Sequence, residues 1–103
     1  MTNEKFLVEM ENSFNRSKKV LLKKGTEYSS ENDRLHQFYQ AAFIQNINPC
    51  EALIGVVTIH FTSIVLMSKN PNLYSMKEWL DKTVDLRNYT ILLEALLVDM
   101  EVK

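Results

Sequence analysis

The chain has 103 residues, enough for one domain, with a formal net charge of −1 and an apolar fraction of 46%. This apolar content argues against an intrinsically disordered chain, and the near-neutral charge provides no overall attraction to nucleic acid or anionic lipid. A single cysteine, Cys50, excludes an intramolecular disulfide, and the N-terminal sequence lacks the pattern of a signal peptide, so we expect a cytoplasmic protein.

The first predicted helix runs from about Asn3 to Lys24. Apolar residues recur there every three or four positions and form one helical face. The last turns are basic, and three cations share one side: Arg16, Lys19 and Lys23. These cations could contact phosphate groups, or they could simply form a solvated helix end. Gly25 follows where a left-handed helix cap is expected, and a polar connector covers residues 26–33.

The second predicted helix is short and runs from about Asp33 to Gln45. Either Asn32 or Asp33 could act as its N-cap, since both side chains accept hydrogen bonds from a first helical turn. Small residues at positions 41 and 42 would allow a neighbouring helix to approach closely.

The third predicted helix contains the most apolar stretch of the chain. Asn48, Pro49 and Glu51 form a capping-box pattern that marks its start, and the helix should end at about residue 69. Ala52–Ser68 then provides seventeen residues without a charge. A membrane span needs about 20 predominantly apolar residues. We therefore expect a buried central helix rather than a membrane span or a strand.

The fourth predicted helix begins at about Met76, after a second capping-box pattern formed by Ser75 and Glu78. Beyond Asn88 its apolar surface is broader than one neighbouring helix requires, which indicates either a deeply packed tail or a subunit interface. The elements together predict an all-α bundle of four main helices around the central apolar helix at about residues 49–69. The bundle would form a single domain, residues 1–103, that assembles as a homo-oligomer.

Acidic residues recur along one face of the fourth helix. Glu78, Asp81 and Asp85 share this face with Asn88, and carboxylate oxygens of this kind can hold Mg²⁺. The same face could equally be solvated and paired with neighbouring cations. A magnesium enzyme would need a second acidic pair on a facing helix, and the nearest acids lie in the connector. A metal site formed by these three carboxylates is therefore the weaker hypothesis.

A lone histidine, His60, lies near the middle of the uncharged helix. A buried imidazole needs a hydrogen-bond partner, because leaving it unpaired costs about 1–3 kcal/mol. Asp85 or Tyr89 on the fourth helix could provide that partner. His60 is therefore either a satisfied core residue or part of a functional site.

Five short motifs occur in a fixed order: Lys24-Gly25-x-Glu27-Tyr28, Asp33-Arg34-Leu35-x-x-Phe38, Pro49-x-x-Ala52-Leu53-x-Gly55, His60-x-x-Ser63-Ile64 and Trp79-x-x-Lys82-x-x-Asp85-x-x-Asn88-Tyr89. Their order and spacing resemble those of small all-α phage and prophage proteins grouped as a nucleotide-modification-associated domain. The resemblance covers about Lys18 to Leu97. It implies that six polar residues bind a ligand: Lys24, Glu27, Tyr28, His60, Asp85 and Asn88. The chain departs from the family pattern at Ile59, where a lysine is expected, and near Leu66, where an acid is expected.

The resemblance implies a small accessory protein of a mobile element, acting in the cytoplasm of the host cell. The apolar departures favour binding over catalysis, so we assign no catalytic residue and no required cofactor. The leading hypothesis is a sponge or decoy that binds a nucleotide or a signalling nucleotide during host–phage conflict. One alternative is a protein inhibitor of a host defence complex such as a CRISPR effector. A second alternative is a magnesium-dependent nucleotide-processing enzyme.

Overall fold

A computed structural model describes the backbone of residues 1–28 and 34–103, and the side chains of residues 1–23 and 34–103. These ranges contain no strand and four α-helices: α1 (Asn3–Tyr28), α2 (His36–Gln45), α3 (Pro49–Ser68) and α4 (Met76–Asp99). A 3₁₀ turn at Pro71–Leu73 lies between α3 and α4. The predicted all-α helical bundle is confirmed.

Both predicted capping boxes are present. The Asn48 side chain accepts a hydrogen bond from the Glu51 N–H at 3.0 Å, and the Glu51 carboxylate accepts one from the Asn48 N–H at 3.4 Å. At the start of α4, the corresponding Ser75 and Glu78 bonds measure 3.1 and 3.2 Å. An N-cap of this kind is worth about 1 kcal/mol. The starts of α3 and α4 are therefore set by local sequence.

The predicted C-terminal end of α1 is wrong. The helix does not stop near Lys24 but continues through Gly25 to Tyr28. Glycine inside a helix costs only about 1 kcal/mol relative to alanine, so it allows a helix to end without forcing it to do so.

The predicted start of α2 is also wrong, whereas its end at Gln45 is confirmed. The helix begins at His36, after a turn at residues 34–35, and its N-cap Leu35 has no side chain that can accept a hydrogen bond. The two proposed N-caps, Asn32 and Asp33, lie outside the described residues. The end of the helix is marked by Asn46 in the left-handed conformation, with φ of 56°.

The apolar core joins α2, α3 and α4. Leu53 of α3 and Leu96 of α4 are both 0% exposed, and they cluster with Phe38 of α2 and with Leu35, the N-cap of that helix. The C-terminal part of α4 therefore contributes to this core rather than remaining an uncovered tail. Within the described residues, α1 packs on α4 alone, so α4 is the helix that connects the two parts of the fold.

The apolar helix α3 is covered on one side only. It packs against α2 and α4, and its buried residues are Ala52, Leu53 and Met67. The opposite face of α3 is open. We expected the other three helices to surround α3, but among the described residues only α2 and α4 pack against it. Among the described residues, α3 is also the one helix long and apolar enough to cross a membrane. Length and composition alone do not distinguish such a helix from a core helix of a soluble protein.

Candidate functional site

Polar side chains of α4 hold α1 against the bundle. The Arg87 guanidinium donates to the Ser17 hydroxyl at 2.5 Å and to the Ser13 carbonyl at 3.1 Å. The Asn88 amide donates to the Ser17 carbonyl at 3.2 Å. Ser17 and Asn88 are 3% and 6% exposed, so this interface is a buried polar one. Ser17 occupies an apolar stripe in the sequence, and this polar interruption was the available signal for such a contact.

A groove of about 760 Å³ lies between α1 and the first half of α4. Its lining combines cationic, acidic and apolar side chains: Arg16, Lys19, Lys77, Asp81, Asp85, Met76, Val20, Leu80 and Val84. The groove thus unites two features that the sequence shows separately, the basic side of α1 and the acidic side of α4. Its volume lies within the range of about 300–1,000 Å³ that is usual for small-molecule sites.

Arg16 is oriented within this region by an acid that the sequence reasoning missed. Its guanidinium donates to the Glu9 carboxylate at 2.5 Å and to the Ser13 hydroxyl at 3.0 Å. The hydrogen bond from Arg16 is the main reason that the pKa of Glu9 lies below its ordinary value. Glu9 lies two helical turns before Arg16, beyond the usual spacing for ion pairs along a helix. Lys23, the third cation of the predicted patch, is exposed and is not among the groove-lining residues.

His60 of α3 lies beside the two α4 residues named as its candidate partners. Its Nδ1 atom is 4.0 Å from the Asp85 carboxylate, and its ring centroid is 5.1 Å from that of Tyr89. A separation of 4.0 Å exceeds a hydrogen bond. The Nδ1 atom is buried and has no hydrogen-bond partner.

The described part of the chain contains three buried side-chain polar atoms without a hydrogen-bond partner. They are Arg16 Nε, His60 Nδ1 and Asn88 Oδ1. Asp85 connects their positions, because it lines the groove with Arg16, faces His60 and lies one helical turn before Asn88. An unpaired buried polar atom costs about 1–3 kcal/mol, so such atoms in native structures usually bond to an ordered water or another polar group.

The three carboxylates proposed as metal ligands have different partners. Glu78 accepts the capping hydrogen bond at the start of α4, Asp81 pairs with Lys77 at 3.3 Å, and Asp85 faces His60. Across the described ranges, no three histidine, cysteine or acidic side chains are close enough to hold a metal ion together. The helical spacing predicted that the three acids share one face of α4. In the structure each acid has a different partner, so the three carboxylates do not converge on one site.

The remaining predicted ligand residues, Lys24, Glu27 and Tyr28, have side chains that lie outside the described residues. Ile59 and Leu66, where the chain departs from the family pattern, are 70% and 57% exposed on the open face of α3. His60 instead faces α4. The apolar residues at these two positions therefore leave the surroundings of His60 unchanged.

The chain matches no protein-family model, and no curated protein or solved structure matches it significantly.

Proposed function

We propose that this chain binds a nucleotide or a related phosphate-bearing small molecule in the groove between α1 and α4. The observation that supports this proposal is the groove itself, in which the cationic side chains of Arg16, Lys19 and Lys77 lie beside apolar side chains of both helices. Arg16, whose Nε atom is buried without a hydrogen-bond partner, lines this groove, and the family resemblance suggests the nucleotide class.

The cationic side chains of the groove would receive the phosphate. Lys19 of α1 and Lys77 of α4 line opposite sides of the groove, and Arg16 lies on the same wall as Lys19. Charge-assisted hydrogen bonds from such groups to phosphate oxygens are about twice as strong as bonds between neutral groups. Arg16 could exchange its hydrogen bond to Glu9 for one to the ligand.

The apolar wall would receive the base. Val20, Leu80 and Val84 provide a surface for the face of a heterocyclic ring. The Asp81 carboxylate, on the same groove, can accept a hydrogen bond from an exocyclic amino group. This distribution of groups suits a ligand with one anionic end and one flat, amino-bearing end.

The arrangement supports binding more strongly than magnesium chemistry, because Glu78 caps α4 and, across the described ranges, no three acidic, histidine or cysteine side chains are close enough to hold a metal ion together. A protein that binds a nucleotide without transforming it would act as a sponge or decoy. The resemblance to phage and prophage proteins suggests that this action takes place in the cytoplasm of a host cell during host–phage conflict.

Isothermal titration calorimetry against a panel of mononucleotides and cyclic nucleotides tests the proposal. We expect binding to at least one member, and we expect Lys19→Gln to weaken it about tenfold or more, since a hydrogen bond to a charged group is worth about 1.5–3 kcal/mol. Lys18→Gln is the matched control, because Lys18 is the exposed neighbour that does not line the groove. Absence of binding to the whole panel would contradict the proposal, as would equal effects of the two substitutions.

A protein inhibitor of a host defence complex is the second candidate. The Asp81 side chain is 66% exposed at the groove, and Met76 at the start of α4 is 67% exposed, so an acidic and apolar surface is available to a protein partner. Capture of a purified CRISPR effector that is lost in Asp81→Lys and retained in Glu94→Lys would favour this candidate. Phosphate release that stops with a chelator would instead favour the magnesium enzyme.

A further inference from the structure

The folded chain exposes more surface than its mass requires. Its accessible surface is 7843 Å² and its radius of gyration is 15.7 Å. A monomeric protein of this mass exposes about 6,000 Å², and a compact domain of this length has a radius of gyration near 13 Å. The excess is therefore about 1,800 Å² per chain. Obligate dimers bury about 1,000–2,500 Å² per partner, so the excess of the whole chain is of the same order as such an interface.

The open face of α3 is an uncharged part of this exposed surface. Positions 54, 58, 61 and 65 form one stripe along it, because spacings of three and four residues place side chains on the same face of a helix. A second stripe beside it consists of positions 55, 59, 62 and 66. The large apolar side chains on the two stripes are all exposed: Ile54, Ile59, Phe61, Val65 and Leu66.

The polar groups on this face are already satisfied within the helix. The Thr58 hydroxyl donates to the Ile54 carbonyl at 2.9 Å, and the Thr62 hydroxyl donates to the Thr58 carbonyl at 2.8 Å. Both threonines are exposed. With their hydroxyl protons directed to the backbone, the threonines can enter a helix contact without leaving an unpaired donor.

Gly55 lies on the same open face, in the interior of α3. A Cβ atom added at this position would meet nothing within 4 Å, so the packing of the chain itself does not require a glycine. Glycine in a helix interior is disfavoured relative to alanine. Small residues on a helix face allow another helix to approach closely.

We propose that this face, the α3 face, pairs with the same face of a second copy of the chain across a two-fold axis. The excess surface of the whole chain is of the order of an obligate interface, and a uniform apolar face without charges is compatible with its own copy. A lipid bilayer suits the structure less well, because the opposite side of α3 packs on the charged helix α4 and carries His60. Inserting α3 would dismantle the core around Leu53.

Sedimentation velocity of the purified chain over low to high micromolar concentrations provides the test. We expect a dimer whose dissociation constant rises at least about tenfold in Thr58→Lys and in Val65→Lys, because charge would be buried at the centre of the interface. Phe43→Lys on α2 is the matched control: Phe43 is 88% exposed but lies on another helix, and the substitution should leave the dimer intact. Circular dichroism should show the same helix content in all variants, since every substituted side chain is exposed.

Oxidative cross-linking locates the contact independently. In a Cys50→Ser background, Thr58→Cys should form a disulfide-linked dimer, whereas Lys77→Cys on α4 should not. A chain that stays monomeric at high micromolar concentration would overturn the proposal. A dimer that tolerates both Thr58→Lys and Val65→Lys would overturn the assignment to the α3 face. Flotation of a monomeric chain with phosphatidylcholine vesicles would overturn it in favour of a membrane.

Discussion

The two interfaces of α4 differ in chemistry. On one side, α4 packs with α2 and α3 around Leu53 and Leu96, which are completely buried. On the other side, α4 holds α1 through the buried polar pair Ser17 and Asn88 and leaves a groove open beside it. The apolar interface contributes stability through buried area. The polar interface retains two buried polar atoms without a protein partner, Arg16 Nε and Asn88 Oδ1, so it contributes less to stability.

Residues of the apolar interface therefore mainly maintain the fold, whereas residues beside the polar interface could bind a ligand. A substitution at the apolar interface should change the free energy of unfolding by a large amount. A substitution at the polar interface should change it less and should affect ligand binding more.

The largest effect is expected at the centre of the apolar interface. Leu53→Ala should lower the free energy of unfolding by about 2–5 kcal/mol, because it removes buried methyl groups and leaves a cavity. Urea denaturation followed by circular dichroism measures this change. Leu22→Ala provides the control, since Leu22 is 62% exposed and its substitution should have little effect. Similar losses for both variants would show that the α2–α3–α4 core does not dominate stability.

A smaller effect is expected at the polar interface. Asn88→Ala should lower the free energy of unfolding by about 1–3 kcal/mol, because it removes the donor to the buried Ser17 carbonyl. The same denaturation experiment applies, with Asn15→Ala on the exposed side of α1 as control. An Asn88→Ala variant as stable as this control would mean that the amide bond does not anchor α1.

A substitution of His60 should change nucleotide affinity and leave the free energy of unfolding nearly unchanged. His60→Leu removes the unpartnered Nδ1 atom and keeps an apolar side chain of similar size, so the free energy of unfolding should stay within about 1 kcal/mol of the original or rise. Nucleotide affinity, measured by calorimetry, should fall. A variant that loses stability and keeps its affinity would identify His60 as a structural residue.

The smallest effect concerns the exposed ion pair on α1. The pKa of Glu9 is lowered in the folded chain, so ionised Glu9 contributes stability above its unfolded pKa and loses that contribution as the pH falls through its folded pKa. Arg16→Gln should raise the pKa of Glu9 towards its ordinary value, as measured by an NMR titration of the carboxyl carbon. Lys18→Gln should leave it unchanged, and a pKa unaffected by Arg16→Gln would contradict this origin of the shift.

The parts of the fold that depend on short-range interactions were predictable from the sequence. The capping boxes at Asn48 and Ser75 give correct starts for α3 and α4, because each is formed by residues three positions apart. Gly25 failed as an end signal, since glycine permits a helix end without requiring one. For the candidate site, helical spacing identified Asp85 and Asn88 as neighbours on α4. Helical spacing did not predict that Ser17 would contact Arg87 and Asn88, or that Glu9 would pair with Arg16.

The sequence by itself determined the all-α class, the position of the apolar helix and the residue types available for a site, because these follow from periodicity and local capping. Only the tertiary structure decided which face of each helix is covered. The apolar length of α3 suggested a buried centre, yet packing covers one side and leaves the other open. Arg16, Asp85 and His60 lie on three different helices, and pairing between helices depends on long-range packing that a sequence pattern does not specify.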